Sequence, residues 1–292
     1  MLRIMNLVKS FNDKRVLDNL SIEIEDGSVF GLIGINGAGK STLLRCISGV
    51  YAQDMGVIEA DGECVFDNPN IKKEIIYVSD DPYFPISGTI KSLKIFYSSF
   101  YHLDEKLYQK YLNLFGLNEN GLISSFSKGM KRQVALLFAM AISPRYLLLD
   151  ECFDGLDPLV RLKFKKALTD LIDDKEISVI ISSHNLKELE DICDSFGILE
   201  NGRIDTYGDL LSSKTNINKY QLAYAEEKTK DDFSDLDVMS IDITGRVVSL
   251  VIRGEKEMVT DKLNKTGPLF IDVLPVNFEE LFIYEMEARN NG

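Results

Sequence analysis

A glycine-rich segment that ends in Lys, Ser and Thr is the clearest sign of chemistry in this 292-residue chain. Residues 34–42 read GINGAGKST and match the pattern G-x-x-x-x-G-K-[ST], between a predicted strand and a predicted helix. The glycines let the backbone turn tightly so that N–H groups point at phosphate oxygens, and the helix N-terminus adds positive potential. Lys40 then reaches the outer phosphates, and the Ser41 hydroxyl can ligate Mg²⁺. The residues expected to surround the phosphates are Asn36, Gly37, Ala38, Gly39, Lys40, Ser41 and Thr42.

A second candidate is the pair of acids that ends the segment YLLLDE, residues 146–151. In open α/β sheets, ligands bind at the carboxyl ends of the strands, beside the glycine-rich loop. Asp150 would there help to hold Mg²⁺, and Glu151 would polarise the water that attacks the γ-phosphate. A buried strand that ends in acids is common, so this interpretation depends on the phosphate loop upstream.

The segment VIISSH, residues 179–184, repeats this pattern and ends at His184. The imidazole can donate a hydrogen bond to a γ-phosphate oxygen and so respond to its presence. A lone histidine at a strand end is more often structural. His102, the only other histidine, lies among helical residues and keeps that structural interpretation.

The elements that must position these residues follow an α/β order. Short strands dominate the first eighty or so residues, and helical periodicity then runs from about 82 to 143. YLLLDE and ISVIISS are typical of buried parallel strands, with a crossover helix predicted at Pro158–Ile172. From about Ser213 the pattern restarts, which predicts a separate α+β domain over 213–292 with a closing helix at 278–290.

Composition excludes several classes of protein. Asp and Glu number 46 against 33 Lys and Arg, a net charge of −13 that disfavours nonspecific binding of nucleic acid. The longest apolar run, Val134–Ile142, is about half a membrane crossing, and the N-terminus is not typical of a signal peptide. The four cysteines form no CxxC pair and predict reduced thiols, not a disulfide framework or a zinc site. These observations predict a soluble intracellular chain.

Residues 126–133, FSKGMKRQ, complete a set of motifs that together resemble the ATPase subunit of ABC transporters. The resemblance covers about residues 1–212: GINGAGKST is similar to Walker A, YLLLDE to Walker B, FSKGMKRQ to the signature and DGLD (154–157) to the D-loop. His184 is similar to the switch histidine. The resemblance implies a P-loop NTPase cassette, with a mixed sheet core and an inserted helical subdomain, that binds ATP with Mg²⁺.

The resemblance also implies a role for several further residues. Two cassettes would face head-to-tail, so that Ser127 and the Gly129 amide contact the γ-phosphate of the partner's ATP from the start of a helix. Phe11 falls where the family stacks an aromatic ring on adenine, although an aromatic residue there can equally belong to the strand core. Asp157 closes the D-loop motif and is expected at the nucleotide interface.

This sequence departs from the family pattern at two places. Lys128 replaces the first of two adjacent signature glycines, and Met130 replaces the usual Gln, a combination similar to that of export-type members. Asp80 stands after the strand IIYV where the family has Gln. A carboxylate can ligate Mg²⁺ as well as an amide can, so Asp80 is a candidate metal ligand beside Ser41 and Asp150.

The sequence therefore predicts an ATP-hydrolysing subunit that powers transport, with export as the expected direction. Its partner would be a separately encoded transmembrane permease, met near Asp80–Thr89, and two cassettes would form a homodimer or heterodimer at the cytoplasmic side of the membrane. One alternative is a soluble ABC-type ATPase acting on ribosomes or chromosomes, which a single cassette without heptads fits poorly. The other is a nucleotide-gated regulatory module without transport, against which Glu151 and His184 argue.

Overall fold

The computed structural model describes residues 1–209, 217–276 and Glu280, with side chains for all of these except 205–209. The chain forms two compact units, Met1–Tyr207 and Gly208–Gly292. The boundary expected near Ser213 lies outside the described residues, as does the closing helix expected at 278–290, apart from Glu280. Among the helices that the structure describes, none has the length and apolar character needed to cross a membrane.

Two sheets and seven helices make up the described part of the first unit. Its strands are β1 (Leu2–Phe11), β2 (Lys14–Ile24), β3 (Val29–Ile33), β4 (Met55–Ala60), β5 (Glu63–Cys64), β6 (Ile75–Val78), β7 (Tyr146–Asp150), β8 (Ser178–Ser183), β9 (Ser195–Glu200) and β10 (Arg203–Asp209). Its helices are α1 (Lys40–Ile47), α2 (Pro69–Lys73), α3 (Ile90–Ser98), α4 (Glu105–Leu114), α5 (Lys128–Ile142), α6 (Pro158–Lys175) and α7 (Leu186–Glu190).

The larger sheet has the strand order β10-β9-β3-β8-β7-β6, and its strands from β9 to β6 run parallel. The smaller sheet, β2-β1-β4-β5, is antiparallel. Buried residues of both sheets pack around α1, which contributes Leu43, Leu44 and Ile47 to the core. This is the mixed-sheet cassette that the sequence predicts.

The strand register brings the chemically interesting strand ends to one edge. Asp150 on β7 lies beside Ser182 on β8, and Ile33, the last residue of β3, lies beside Ser183. Because these strands are parallel, the loops that follow them leave the sheet on the same side. α6 connects β7 to β8 and is the predicted crossover helix, three residues longer than expected.

The helices predicted between residues 82 and 143 are present as α3, α4 and α5. Polar caps define where they begin: Asp104 accepts hydrogen bonds from the first N–H groups of α4, and Ser127 Oγ accepts one from the Met130 N–H of α5. The sequence did not predict α2 and α7, because five residues are too few for apolar periodicity to show.

The second unit contains β11 (Ile217–Ala223), β12 (Val238–Thr244), β13 (Val247–Arg253), α8 (Lys256–Lys265) and β14 (Phe270–Leu274). Its antiparallel sheet has the order β12-β13-β11-β14, and Val259 and Leu263 of α8 pack with Tyr220 and Leu250 of the sheet. β11 begins at Ile217, where its pairing with β13 starts.

Candidate active site

The phosphate loop between β3 and α1 uses glycine for both conformation and space. Gly37 and Gly39 have φ of +85° and +111°, in the left-handed region that favours glycine. Gly34 has a different requirement, since a Cβ there would lie 2.7 Å from the carbonyl oxygen of Leu199. Gly39 immediately precedes the first residue of α1, so the loop runs directly into the helix N-terminus.

Lys40, the first residue of α1, turns its side chain back over this loop. Its Nζ donates a hydrogen bond to the carbonyl oxygen of Gly34 at 2.7 Å and lies 3.2 Å from Glu151 Oε1. The side chain is only 6% exposed. The structure therefore places an ammonium group between the phosphate loop and the end of β7.

Glu151 and His184 meet at the carboxyl ends of β7 and β8. His184 Nδ1 lies 2.9 Å from Glu151 Oε2, and the His184 N–H donates to the same oxygen at 3.3 Å. Asp154 approaches the same place, because its ligand atom lies within 4.8 Å of those of Glu151 and His184. Asp154 belongs to the predicted D-loop motif, but the sequence predicted no contact for it here.

The backbone of Glu151 adopts a left-handed conformation, with φ of +46°. For a residue with a Cβ this conformation costs about 1–2 kcal/mol. The Glu151 N–H donates to both the carbonyl oxygen and the hydroxyl of Ser182, at 3.2 and 3.1 Å. These two contacts hold the turn at the point where β7 ends.

Asp150, the last residue of β7, is fully buried. Its carboxylate accepts hydrogen bonds from the Ser182 hydroxyl at 2.6 Å and from the Tyr77 hydroxyl at 2.9 Å. Burial, and then the nearby Asp150 charge, raise the pKa of Tyr77, which therefore remains a donor at neutral pH. Sequence reasoning missed both donors, although each is a polar residue within an apolar strand.

A cleft of about 340 Å³ brings most of the predicted site residues together. Its lining includes Lys40, Ser41, Asp80 and Glu151, so a hydroxyl and two carboxylates face the space beside the phosphate loop. Oxygen atoms of these kinds are the ligands that Mg²⁺ prefers. The remaining lining residues are Val16, Asn36, Gly37, Gly39 and Thr42.

A neighbouring cleft shares Val16, Asn36 and Gly37 with the first and also includes Ala38. The residues that line it do not include Phe11. The Phe11 ring instead packs edge-on against Tyr51, with 5.4 Å between centroids, and is 40% exposed. Its stacking on adenine stays a prediction.

The start of α5 packs against the turn 152–157. A Cβ on Gly129 would collide with the carbonyl oxygen of Gly155, so only glycine fits this approach. Ser127 caps α5, and Asp157 caps α6 by accepting from the Leu159 and Val160 N–H groups. The nucleotide contacts expected for Ser127, Gly129 and Asp157 are to a second subunit and stay predictions.

Arg132 also lies in this region, and no role was predicted for it from the sequence. It is 1% exposed, and its guanidinium donates to the carbonyl oxygens of Asp80 and Asp154. One side chain of α5 therefore connects the loop after β6 with the turn after β7. Arg132 belongs to the polar run KRQ that precedes the apolar residues 134–142, so its residue type at that position carried no signal of burial.

Comparison with known proteins agrees with this geometry. The ABC transporter family model matches residues 17–154. The ABC transporter ATP-binding protein YtrB of Bacillus subtilis is 30% identical over 290 residues, which cover 99% of each chain. The methionine import ATP-binding protein MetN of Clostridium tetani is 31% identical over 223 residues, 72% of this chain and 70% of MetN. A solved ATP-binding subunit of an ABC transporter superposes with a TM-score of 0.68 at 29% identity, covering 73% of this chain and 92% of that one.

The chain belongs to the ATP-binding proteins of the ABC transporter family. It is an ATP-binding subunit of a transporter, and its activity is the hydrolysis of ATP. Subunits of this family dimerise and work with transmembrane permease partners. The predictions of the family, the cassette fold and the ATPase activity are thereby confirmed.

Proposed function

We propose that Glu151 activates the water that attacks the γ-phosphate, with Lys40 and His184 on either side of it. The observation that carries this proposal is the position of the Glu151 carboxylate, 3.2 Å from Lys40 Nζ and 2.9 Å from His184 Nδ1. Lys40 would turn to the outer phosphates of a bound nucleotide and stabilise their charge. His184 would then donate to a γ-phosphate oxygen while Glu151 orients the water.

Magnesium would be held by Ser41, Asp80 and Asp150 in this proposal. Ser41 and Asp80 line the same cleft, and Asp150, which is not among its lining residues, is held at the end of β7 by its two donors. This set of oxygen atoms fits a hard divalent cation. When bound, the ion neutralises charge on the phosphates. The chain's own residues bind and orient it.

Replacing Glu151 with Gln tests the central assignment. The amide keeps the size of the side chain but cannot accept a proton, so ATP affinity should stay near that of the wild type while kcat falls by about 10²–10⁴-fold. ATP should then hold the variant as a dimer, which size-exclusion chromatography detects. Asp191→Asn, an exposed acid that pairs with Lys165, is the matched control. A monomeric Glu151→Gln variant with undiminished turnover would contradict the assignment.

The proposed dimer is head-to-tail, with Ser127 and Gly129 of one subunit at the phosphates bound by the partner. The support is that both residues stand at the N-terminus of the fifteen-residue helix α5, where backbone N–H groups favour an anion. A mixed dimer of one Ser127→Arg subunit and one Lys40→Ala subunit has one composite site with both substitutions and one site with neither. A photoreactive ATP analogue should label the signature of the chain opposite the intact Lys40. Labelling confined to the chain that binds the nucleotide would refute this arrangement.

The proposed contact with the permease is the segment Asp80–Thr89, at the cytoplasmic side of the membrane. Tyr83 and Ile86 are 89% and 84% exposed, an unusual exposure for large apolar side chains. Two clefts, lined partly by Pro82, Tyr83 and Phe84, open beside them and would accept an apolar element of the partner. Tyr83→Ser combined with Ile86→Ser should abolish copurification of the permease and leave ATP binding unchanged. Undiminished copurification would place the contact elsewhere.

Export is the proposed direction of transport, supported by the signature residues Lys128 and Met130. Uptake is the competing outcome, since MetN is named for methionine import. Small-molecule pools in cells that carry wild-type or Glu151→Gln chain distinguish the two. The cargo of an exporter accumulates inside cells of the variant, whereas the cargo of an importer is depleted there.

A further inference from the structure

Two arginines hold consecutive carbonyl groups of the turn 152–157. Arg161, on α6, donates from Nη2 to the carbonyl oxygen of Phe153 at 3.2 Å. Arg132, on α5, donates to the carbonyl oxygen of Asp154. The turn therefore takes its position from side chains of the two helices that flank it.

Arg161 also connects this turn with the loop that carries His184. Its Nη1 lies 2.7 Å from Glu188 Oε1, and Glu188 is only 5% exposed. The other carboxylate oxygen, Oε2, accepts a hydrogen bond from the Ser183 hydroxyl at 3.0 Å. Ser183 directly precedes His184. A continuous series of two hydrogen bonds and one ion pair thus runs from the Phe153 carbonyl to the residue before the histidine.

The opposite side of the same turn rests on the signature helix. Gly155 presents its carbonyl oxygen to Gly129 so closely that no Cβ fits between them. Any displacement of Gly129 must therefore move the turn, because close-packed groups transmit a shift instead of absorbing it. The planar guanidinium of Arg161, fixed to both Phe153 and Glu188, would carry that displacement to Ser183.

We propose that Arg161 and Glu188 are a positioning pair that couples the turn 152–157 to the placement of His184. The inference rests on the roles proposed above for Gly129 at the partner's nucleotide and for His184 at its own. Closure of the dimer at Gly129 is then transmitted through Gly155, Phe153, Arg161 and Glu188 to the histidine. Neither Arg161 nor Glu188 touches the nucleotide.

The pair Glu188→Gln and Arg161→Lys tests this coupling. Gln removes the charge that binds Arg161, while Lys keeps a charge for Glu188 but lacks the fork that reaches Phe153 as well. Both variants should lose kcat by about 10- to 100-fold, with the KM for ATP changed less than about threefold. Arg161→Lys should unfold at nearly the wild-type temperature. If the pair were merely structural, Glu188→Gln would lose stability and activity together. Arg161→Lys would then keep both near the wild-type level.

Asp191→Asn is the matched control, because Asp191 and Lys165 form an exposed ion pair between α6 and the residue that follows α7. Its kcat should equal that of the wild type. The double variant of Arg161 and Glu188 should lose no more kcat than either single variant, since both act through one connection.

Amide hydrogen exchange provides a readout that does not require turnover. Glu188→Gln should accelerate exchange both in residues 183–190 and in the turn 152–157, whereas Asp191→Asn should leave the turn unchanged. Acceleration confined to 183–190, or a wild-type kcat in both test variants, would overturn the proposal. If Glu151→Gln retained full activity, the proposed catalytic role would fail, yet exchange would still decide whether the coupling exists.

Discussion

Removing the hydroxyl of Ser182 should lower both stability and metal binding, because this group donates to a fully buried carboxylate. Ser182 Oγ lies 2.6 Å from Asp150 Oδ1, and both residues have 0% exposed surface. A hydrogen bond to a charged group contributes about 1.5–3 kcal/mol. Since no water can replace the hydroxyl at a buried position, we expect Ser182→Ala to cost about 2–3 kcal/mol. The Glu151 N–H also loses the hydroxyl as an acceptor, but it keeps the Ser182 carbonyl oxygen at 3.2 Å. This second change therefore adds little to the loss of stability.

Tyr77→Phe removes the other donor to Asp150, which lies 2.9 Å from Oδ2. Tyr77 is only partly buried, so water can take the place of its hydroxyl. We therefore expect a smaller loss, about 1.5 kcal/mol. The double variant leaves the carboxylate without either donor, and its loss should exceed the sum of the single losses because both donors serve one buried charge.

Hydrogen exchange of the β7 amides in increasing urea measures this loss within the cassette itself. Ser178→Ala is the matched control, since Ser178 is a buried serine of β8, like Ser182, and its hydroxyl accepts from the neutral Gly27 N–H at 3.0 Å. This control should cost about 1 kcal/mol. It should leave the Mg²⁺ dependence of binding to a fluorescent ATP analogue unchanged, whereas Ser182→Ala should require about tenfold more Mg²⁺.

A Ser182→Ala variant as stable as the wild type within about 0.5 kcal/mol would refute the proposed role of the hydroxyl. A loss of stability without any change in Mg²⁺ dependence would also contradict it. The first result would mean that water or another donor satisfies Asp150. The second would mean that Asp150 is a structural carboxylate with no influence on the metal.

Three further predictions test individual residues. Asp80→Asn removes one negative charge from the cleft and should raise the Mg²⁺ concentration for half-maximal ATPase activity, so an unchanged magnesium titration would return Asp80 to an ordinary loop acid. Gly129→Ala forces its Cβ against the Gly155 carbonyl and should lower kcat while ATP binding by the isolated subunit persists, measured by turnover and equilibrium dialysis. Backbone hydrogen bonds lower the pKa of Asp104 from its ordinary 3.8, and the one from the Leu107 N–H has the largest effect. Asp104→Ala should therefore lower the free energy of unfolding by about 1 kcal/mol at neutral pH. This difference should disappear as the pH falls through that lowered pKa, and hydrogen exchange of the α4 amides measures it.

The elements that bear the site could be predicted from sequence because each has a strong local signal. GINGAGKST stands between an apolar strand and a helix, and YLLLDE and VIISSH are apolar runs that end in polar residues. Parallel pairing then requires the ends of β7 and β8 to share an edge, which is how Glu151 and His184 come to meet. The positions of Glu151 and His184 could be predicted because each directly follows an apolar strand, and parallel strands bring their carboxyl ends to one edge of the sheet.

The residues that support the site could not be found in this way. Tyr77 and Ser182 reach Asp150 from neighbouring strands, and which strands are neighbours depends on a sheet order that follows no order in the chain. Arg132 and Arg161 act on carbonyl groups of a distant turn, and a carbonyl carries no sequence signal at all. Tyr77 and Ser182 are each a polar residue in a largely apolar strand. Arg132 and Arg161 have Lys residues nearby in their helices, so nothing in the sequence distinguishes them.

The left-handed backbone of Glu151 explains how two adjacent acids can take different roles at one strand end. Successive side chains of a strand point to opposite faces, so a continued β7 would carry Glu151 away from the side that Asp150 occupies. A φ of +46° ends the strand at that residue and lets its carboxylate reach Lys40 and His184, while Asp150 stays buried against Ser182. Ser182 stabilises both halves of this arrangement, because its hydroxyl donates to Asp150 and accepts from the Glu151 N–H. The conformational strain at Glu151 is therefore offset by the same residue that fixes the buried acid, through both its carbonyl oxygen and its hydroxyl.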